Sequence, residues 1–291
     1  MKRILTLLLC LLMALGLLAI SAGCTKTEAP PANTDGPEAS ADVPAESPVA
    51  ELPEKLICGI TDFEPMNFKD DDGEWIGFDT EFALLVGEKL GIPVEFQEID
   101  WSNKYLELKS GAINCIWNGF TANASDDGKP RSDEVDFSYS YMLNQQCVVI
   151  KADKAADFAD IEAVAGKKVA AEKGSAGEEA AKDAAGDAGT VIDVDKQTDA
   201  LAEVLSGAVD CAVMDILLAK QKVGTGDFAN LAIADIEMDS EIYAIGFAKG
   251  SALTAAVNAA IKELNDEGKL EELASKYDLE NTLLVDLTFK S

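Results

Sequence analysis

Two polar side chains in one loop of the sequence have the chemistry needed to bind a small charged molecule. The loop follows a short apolar strand, Cys115–Trp117, and leaves it at Asn118-Gly119. It then offers a hydroxyl, Thr121, and a guanidinium, Arg131. In α/β domains, small molecules bind where a buried strand releases the chain into such a polar loop. The pattern therefore predicts a ligand site, although an ordinary surface loop after a strand has the same local pattern.

The pattern that leads into this loop occurs a second time along the chain. The segment LELKSGAINCIWNG, residues 106–119, matches AEVLSGAVDCAVMD, residues 202–215, at a constant offset. If the two segments are structurally equivalent, facing lobes would direct Asn118-Gly119 and Asp215 at one shared cleft, and a ligand there would be held from both sides. Chance similarity between two helix–glycine–strand units is the alternative.

Strand and helix patterns alternate on both sides of these segments. The predicted strands are Leu56–Ile60, Val94–Gln97, Cys115–Trp117, Gln145–Ile150, Lys168–Glu172, Val191–Val194, Cys211–Met214 and Ile242–Phe247. The predicted helices are Asp79–Leu90 with Asp79 as its cap, Lys104–Ser110, Gly177–Ala185, Thr198–Ser206, a long one through Leu253 and Leu264, and Leu270–Tyr277. Two such series predict an α/β protein with two lobes and mostly parallel sheets.

The composition argues against several classes of partner. The chain has 291 residues, with 53 acidic against 24 basic side chains and a net charge of −29. Such a chain is repelled by nucleic-acid phosphates, so we expect no nucleic-acid partner. It has no histidine, the commonest general base, and its cysteines lack the spacing of a metal site. We therefore expect no metal and no cofactor.

Buried free thiols are favoured for the cysteines after residue 24, with a disulfide as the alternative.

The first 23 residues have the organisation of an export signal. Lys2-Arg3 precede the apolar stretch Ile4–Ile20, and small residues then lead into Cys24. This end resembles the lipobox of bacterial lipoproteins, with Ser21 in place of the usual leucine. The resemblance implies cleavage before Cys24, acyl chains such as palmitate on it, and anchoring on the extracytoplasmic face of the cell membrane. A plain secretory peptide or an anchor helix is the alternative. The linker 24–51 is polar and Pro-rich, which predicts a disordered tether.

From about Leu52 onward, the chain resembles the polar amino-acid binding proteins of bacterial ABC importers, the family 3 extracellular solute-binding proteins. The matching segments are TDFEPMNF with IGFDTEFA, WNGFT with PRSDEVDFS, EKGSAG, SGAVDCAVMD, EIYAIGFAKGS and LNDEGKLEELASKY. The resemblance implies a periplasmic-binding-protein-like type II fold with two hinge strands, near Cys147–Lys151 and Glu241–Ile245. The first lobe would comprise residues 52–151 and 241–291, and the second lobe residues 152–240.

The resemblance also implies a function. Such a protein captures a free polar amino acid between its lobes and delivers it to an ABC permease with its ATPase subunit. It acts as a monomer, is not an enzyme, and touches the membrane only through its lipid anchor. The sequence leaves open whether the ligand is neutral and polar, basic, or cystine. A dehydratase-like enzyme on the same scaffold, acting on a small carboxylate, and a ligand-sensing domain are the alternatives.

By the same resemblance, four residues would hold the ligand's carboxylate. Arg131 supplies a guanidinium that can bind a carboxylate through two hydrogen bonds. Thr121 supplies a hydroxyl, and Ser175 and Ala176 supply donors at a helix N-terminus. The stretch between Thr121 and Arg131 is longer than in the family, so a solvated Arg131 that pairs with Asp133 is the alternative.

Four other residues would hold the rest of the ligand. Asp215 and the Gly119 carbonyl would accept hydrogen bonds from the ammonium, while Phe63 and Trp101 would form aromatic walls. The alternatives are a helix cap for Asp215 and ordinary core positions for the two aromatic residues. Three further charged residues are ambiguous in the sequence: Asp62, Glu172 and Lys173.

Overall fold

The computed structural model describes residues 52–284 and residue 286, so the predicted signal peptide and the linker with Cys24 lie outside the described residues. The helices are α1 (Phe78–Leu90), α2 (Lys104–Ser110), α3 (Ala176–Ala185), α4 (Gln197–Ser206), α5 (Ile216–Lys222), α6 (Ala252–Asp266) and α7 (Lys269–Lys276). The strands are β1 (Leu56–Ile60), β2 (Phe68–Lys69), β3 (Trp75–Ile76), β4 (Val94–Glu98), β5 (Cys115–Ile116), β6 (Ser125–Asp126), β7 (Lys129–Pro130), β8 (Val135–Phe137), β9 (Met142–Lys151), β10 (Lys168–Glu172), β11 (Thr190–Val194), β12 (Cys211–Asp215), β13 (Leu231–Ile233), β14 (Ser240–Tyr243) and β15 (Gly246–Ala248). Among the described residues, the helices are too short or too polar to cross a membrane.

The first lobe is built on a five-stranded sheet in the order β4–β1–β5–β15–β8. Strands β4, β1 and β5 run parallel, and β15 pairs antiparallel with β5 and β8. Helices α1, α6 and α7 pack together, and Phe78, Phe82 and Val86 of α1 are buried because they recur at helical spacing. Helix α2 contributes Leu108 to a separate apolar cluster that includes Ile116 of β5. The sheet is therefore covered by apolar side chains on both faces.

The second lobe is built on a sheet in the order β11–β10–β12–β9–β13, with β14 also pairing with β9. Strands β11, β10 and β12 are parallel, whereas β9 is antiparallel to β12, β13 and β14. Helices α4 and α5 bury Leu201 and Leu218 in one cluster, and α3 buries Ala181 and Ala185 in another. The predicted two-lobed α/β fold is confirmed. Both sheets are mixed rather than mostly parallel, because the chain returns through antiparallel strands.

The strand β9 connects the two sheets. Its first residues pair with β14, from Met142 opposite Tyr243 to Gln145 opposite Ser240. We expected the first hinge strand near Cys147–Lys151, but those residues pair with β12 and β13 inside the second sheet. The crossover therefore lies earlier in β9 than expected. The lobe limits 52–151 with 241–291, and 152–240, stay a prediction.

The two matching segments of the sequence occupy equivalent places in the two lobes. Strand β5 pairs with β1 beside β4, and β12 pairs with β10 beside β11. The helices before them, α2 and α4, end at Gly111 with φ 77° and Gly207 with φ 80°. In both, the next amide donates back into the last helical turn, from Ala112 to Glu107 and from Ala208 to Glu203. The repeat is therefore a shared backbone path.

Two local features differ from the sequence expectation. Helix α1 is capped at Gly77, so Asp79 lies inside its first turn and does not cap it. The residues before Arg131 form a hairpin of β6 and β7 rather than the expected loop. Asp127 and Gly128 form its two-residue turn with φ values of 51° and 74°. An Asp-Gly pair at positive φ is the preferred chemistry for this tight hairpin turn.

Candidate functional site

An enclosed cavity of about 20 Å³ lies between the two lobes. All eight predicted site residues line it: Phe63, Trp101, Gly119, Thr121 and Arg131 from the first lobe, and Ser175, Ala176 and Asp215 from the second. Of the other four lining residues, Asn118 was expected at the cleft beside Gly119 and Glu172 was ambiguous, whereas sequence reasoning did not identify Thr61 and Gln197. Asp62 and Lys173 are exposed and do not line the cavity. The structure thus brings the candidate residues together, and their role in binding stays a proposal.

Arg131 is buried, with 1% of its surface exposed. Its Nε and Nη2 atoms each lie 3.0 Å from Oδ1 of Asp126. Nη1 donates to the carbonyl of Thr121 at 3.2 Å, and Nη2 donates to the carbonyl of Gly174, in the second lobe, at 3.3 Å. The guanidinium is therefore not a solvated loop cation, and its ion-pair partner is Asp126 rather than Asp133.

Lys104 is a second buried cation beside Arg131. It is 2% exposed, and its Nζ donates to the Gly174 carbonyl at 2.8 Å. Burial lowers the pKa of Lys104 to about 8, and the charge of Arg131 adds to this effect. Two cations of the first lobe therefore meet one carbonyl of the second. Sequence reasoning missed Lys104 because the first residue of a helix is usually exposed.

The strand end of the first lobe is held by buried polar contacts. The Asn118 amide donates to the Thr61 carbonyl at 3.0 Å, and its oxygen accepts from the Thr61 hydroxyl at 2.6 Å. The Gly119 amide donates to Asp79 at 2.7 Å, and the Tyr141 hydroxyl donates to the same carboxyl oxygen at 2.9 Å. Burial raises the pKa of Asp79 to about 7, against the effect of these hydrogen bonds. These contacts fix the backbone of Gly119 at the cavity wall.

The strand end of the second lobe presents Asp215. This residue occupies the cap position of α5, but its side chain makes no capping hydrogen bond. Its Oδ1 accepts instead from the hydroxyl of Tyr243 at 2.7 Å and from Asn144 at 2.6 Å, and its Oδ2 accepts from Gln197 at 2.7 Å. Burial raises the pKa of Asp215, against these hydrogen bonds. The carboxylate is therefore oriented by the hinge strands and by α4.

A second carboxylate, Glu241, lies next to Asp215 on the crossover strands. It accepts from Asn144 at 2.7 Å and from the hydroxyl of Thr121 at 3.2 Å. Gln146 donates to both carboxylates, at 3.1 Å in each case. Burial, together with the charge of Asp215, raises the pKa of Glu241 to about 7. The sequence signal for this network was the run of three amide side chains Asn144-Gln145-Gln146 at the start of an otherwise apolar strand, which sequence reasoning did not use.

Helix α3 begins at the cavity, and two side chain–backbone hydrogen bonds fix its first turn. Ser175 caps the helix, because its Oγ accepts from the amide of Glu178 at 3.0 Å. The Glu178 side chain accepts in turn from the amide of Gly174 at 2.5 Å. This arrangement fixes the turn that carries Ser175 and Ala176.

The remaining walls are aromatic and acidic. Phe63 packs edge-on against Tyr243 with ring centroids 6.4 Å apart, and Trp101 packs against Phe120 at 5.6 Å. Both side chains also belong to the apolar core, so each one is a core residue and lines the cavity at the same time. Glu172 is 6% exposed, and burial followed by the charge of Asp215 raises its pKa to about 8. The cavity thus has one guanidinium and two carboxyl groups on its walls.

A larger open cleft of about 740 Å³ adjoins this cavity through Thr121 and Ala176. It lies between the β6–β7 hairpin, helix α3 and the chain just before β14. Its charged lining residues are all acidic: Glu179, Asp183, Glu237, Asp239 and Glu241. Such a cleft raises the local concentration of a cationic solute.

Comparison with known proteins identifies relatives for most of the chain. The family described as "Bacterial extracellular solute-binding proteins, family 3" matches residues 56–280. The arginine-binding extracellular protein ArtP of Bacillus subtilis (strain 168) is 30% identical over 227 residues, covering 77% of this chain and 86% of that protein.

Solved structures share the fold. An ancestral arginine-binding protein bound to arginine has a TM-score of 0.72 at 30% identity, covering 78% of this chain and 99% of that one. The ancestral amino acid-binding protein AncCDT-1, a precursor of cyclohexadienyl dehydratase, has a TM-score of 0.68 at 27% identity, covering 77% of this chain and 95% of that one.

Proposed function

The chain belongs to family 3 of the bacterial extracellular solute-binding proteins, and from this premise we propose that it captures a free amino acid for an ABC importer. The observation that carries the proposal is the enclosed cavity between the lobes. Arg131 reaches it from the first lobe and Asp215 from the second. An amino acid has one anionic and one cationic group on the same carbon, and it therefore matches a cavity with one such charge on each side.

The carboxylate end of the ligand would lie against the first lobe. Nε and Nη2 of Arg131 lie against Asp126, while Nη1 and Nη2 also donate to the carbonyls of Thr121 and Gly174. Since a guanidinium carries five donors, one N–H of Nη1 is left for a ligand, and the N–H of Nη2 that now contacts Gly174 could supply a second. The Thr121 hydroxyl and the N-terminus of α3 at Ser175 and Ala176 would supply the remaining donors. Closure around a carboxylate would replace the contact between Arg131 and the Gly174 carbonyl.

The ammonium end would lie against Asp215, with the Gly119 carbonyl as a further acceptor. The hydrogen bonds from Tyr243, Asn144 and Gln197 hold the carboxylate in place before a ligand arrives. Burial makes its charge costly without a cation, and an ammonium group would supply that cation.

Glu172 supports a basic amino acid as the ligand. If Arg131 takes the carboxylate and Asp215 the ammonium, Glu172 is the carboxyl group left in the wall. A cationic side chain would pair with it, and the arginine-binding relatives agree with this chemistry. The acidic cleft beside the cavity would attract the same ligand. A neutral polar amino acid or cystine is the alternative, since a protonated Glu172 can donate a hydrogen bond.

Lobe movement would accompany binding. At about 20 Å³ the cavity is close to the space that one water molecule needs, so an amino acid can enter only after the lobes separate. A ligand that touches both lobes favours the closed form and shifts the population towards it. We propose that the permease, with its ATPase subunit, recognises this closed form of a monomer. A lipid on Cys24 would keep the protein at the extracytoplasmic face of the membrane.

The test is a ligand screen followed by calorimetry. Thermal unfolding is measured with each of the twenty common amino acids and with cystine. A ligand at 100 times its dissociation constant adds about 2.7 kcal/mol to the free energy of unfolding. We expect basic amino acids to raise the melting temperature most. A screen in which no compound raises it would overturn the proposed function.

Calorimetry with Arg131→Lys then tests the site. The lysine keeps a charge beside Asp126 but loses the planar fork, so we expect affinity for the ligand found in the screen to fall roughly a hundredfold. Lys129→Arg exchanges the same two cationic residue types at an exposed position on the same hairpin, so it is the matched control and should leave affinity within about twofold. Equal effects of the two substitutions would contradict the assigned role of Arg131.

An enzyme on this scaffold is the second candidate. Glu172 has a raised pKa near neutrality inside the cavity, which suits a general acid or base. The similarity to AncCDT-1, a precursor of cyclohexadienyl dehydratase, gives this class a second support. Incubation with small carboxylates that can lose water, followed by chromatography, separates the two functions. Product formation that Glu172→Gln abolishes would favour the enzyme.

A further inference from the structure

We propose that Asp126, on the β6–β7 hairpin, is a specificity-determining residue that makes the carboxylate end of the site accept one carboxylate and reject a second. This inference rests on the proposed function. Asp126 does not line the cavity, and it lies on the β6–β7 hairpin that leads to Arg131.

The Asp126 carboxylate holds three side chains of the first lobe. Its Oδ1 lies 3.0 Å from Nε and from Nη2 of Arg131. Its Oδ2 accepts from the hydroxyl of Tyr105 at 2.5 Å and lies 3.8 Å from Nζ of Lys104. Burial opposes ionisation of Asp126, but the charges of Arg131 and Lys104 outweigh it and hold its pKa below the usual range. The carboxylate is therefore a fixed anion between two buried cations.

The two cations it holds are the ones that face the second lobe. Arg131 and Lys104 are 1% and 2% exposed, and both donate to the carbonyl of Gly174. With Asp126 in place, these three groups carry a net charge of +1, which one ligand carboxylate neutralises. Without it they carry +2, and a ligand with a second carboxylate would become favourable at this end of the site.

The hairpin itself fixes the position of Asp126 without help from a ligand. Asp126 pairs with Lys129 in the two-stranded ladder, and the tight turn of Asp127 and Gly128 sets the register. Asp127 also lies 3.7 Å from Lys182 of α3, on the second lobe. The placement of the anion is therefore a property of the backbone of this hairpin.

The test compares Asp126→Asn with the wild-type protein by calorimetry, using L-arginine and L-glutamate as probes. Removing one partly shielded charge near the ligand changes an affinity by about tenfold. We expect the ratio of the dissociation constant for L-glutamate to that for L-arginine to fall about tenfold, because only L-glutamate has a second carboxylate to meet the added positive charge. A merely structural role would weaken both ligands by similar factors and leave this ratio unchanged, so a lower ratio identifies specificity.

Two further variants complete the experiment. Asp127→Asn makes the same change in charge on the same hairpin, at a side chain that is 92% exposed, and Asn tolerates its positive φ. It should leave the ratio of the two dissociation constants within about twofold. Asp126→Glu should restore most of the wild-type ratio. An Asp126→Asn ratio equal to the wild-type ratio would overturn the inference while leaving the proposed function intact. A wild-type protein that binds no amino acid would overturn both.

Discussion

The segments Lys104–Gly119 and Gln197–Asp215 follow the same backbone path in the two lobes, but they end in opposite chemistry. Each has a helix, a left-handed glycine and a buried parallel strand. At the final position, where the alignment of the two segments is still in register, the first has Gly119 and the second has Asp215. The shared path places both residues at the wall of one cavity, and the difference between them decides what each lobe can hold.

The glycine of the first lobe allows a close approach of other groups. A Cβ on Gly119 would lie 2.4 Å from the ring of Phe63 and 2.9 Å from that of Tyr243, and the residue has a φ of 55°. The first lobe therefore presents backbone at this point, and its charge comes from Arg131 farther along the loop. The second lobe presents a side chain, Asp215, directly at the strand end. The repeated helix–glycine–strand unit thus places its last residue at the cavity wall, and the identity of that residue decides whether the strand end carries a charge.

Among the variants that test this contrast, Asp215→Asn should weaken ligand binding most. The ammonium of the ligand would lose its anion inside a buried site, which typically costs about 3–5 kcal/mol. We expect the dissociation constant measured by calorimetry to rise by a hundredfold or more. Stability of the ligand-free protein should change by less than about 1 kcal/mol, because the penalty for burying the charge disappears together with one hydrogen bond.

A control in the same lobe separates local from general charge effects. Asp199→Asn makes the same change at an exposed position on α4 and should leave affinity within about twofold. If Asp215→Asn binds the ligand as the wild-type protein does, the ammonium is held elsewhere and the contrast between the two strand ends has no role in binding.

Gly119→Ala should have the next largest effect, on stability. The positive φ costs about 1–2 kcal/mol for a residue with a Cβ, and the contacts with Phe63 and Tyr243 add about 1–2 kcal/mol of overpacking. We expect the free energy of unfolding from urea titration to fall by about 2–4 kcal/mol. A loss below 1 kcal/mol would mean that the two rings can move away, and that the close approach is not required.

The raised pKa of Glu172 predicts that ligand affinity depends on pH. Burial raises the pKa of Glu172 to about 8 in the ligand-free protein, and a cationic side chain beside it would lower that pKa. The ligand-free protein then holds a proton that the complex releases, so affinity for L-arginine should rise with pH up to about 8, by at most tenfold per pH unit. Calorimetry from pH 6 to 8 measures this slope.

The matched variant for this slope is Glu172→Gln, which keeps the shape of the side chain and removes its titration. It should bind L-arginine more weakly at pH 8 and show a flat profile. A wild-type profile that falls between pH 6 and 8 would contradict the assignment of Glu172 to a cationic side chain.

The sequence was sufficient to predict the residues whose position follows from a strand end. Asp215 and Gly119 terminate buried strands, and parallel strands in facing lobes direct their ends at a common cleft. The family spacing then located Phe63 and Ser175, which lie far from those ends along the chain. The fold was predictable for the same reason, because apolar periodicity alone marks most of the strands and helices.

The contacts that tune the site could not be predicted in the same way. Lys104 lies at a helix start, where charge is ordinary, and its burial depends on Gly174 of the other lobe. Asp126 and Arg131 are close in sequence, but their pairing depends on the β6–β7 hairpin. The hinge strand lay earlier than Cys147–Lys151 because apolar residues continue through β9 into the second sheet. Each miss depends on tertiary packing that local pattern does not encode.

The smallest expected effects come from the glycines that the two segments share, and they test the equivalence most directly. Gly111 and Gly207 have φ values of 77° and 80° and end their helices with the same hydrogen bonds. A Cβ on Gly111 meets nothing within 4 Å, and one on Gly207 meets only the end of the Lys151 side chain at 3.1 Å. Each change to alanine should therefore cost about 1 kcal/mol, from backbone conformation alone.

Urea titration of Gly111→Ala and Gly207→Ala measures these two costs under the same conditions. If the units are equivalent, the two values should agree within about 0.5 kcal/mol, and both should be smaller than the cost of Gly119→Ala. Ligand affinity should stay within about twofold in both variants, since neither glycine lines the cavity. A difference above 1 kcal/mol would mean that one lobe depends on its helix end far more than the other. The shared path would then be a similarity of geometry without a similarity of energetics.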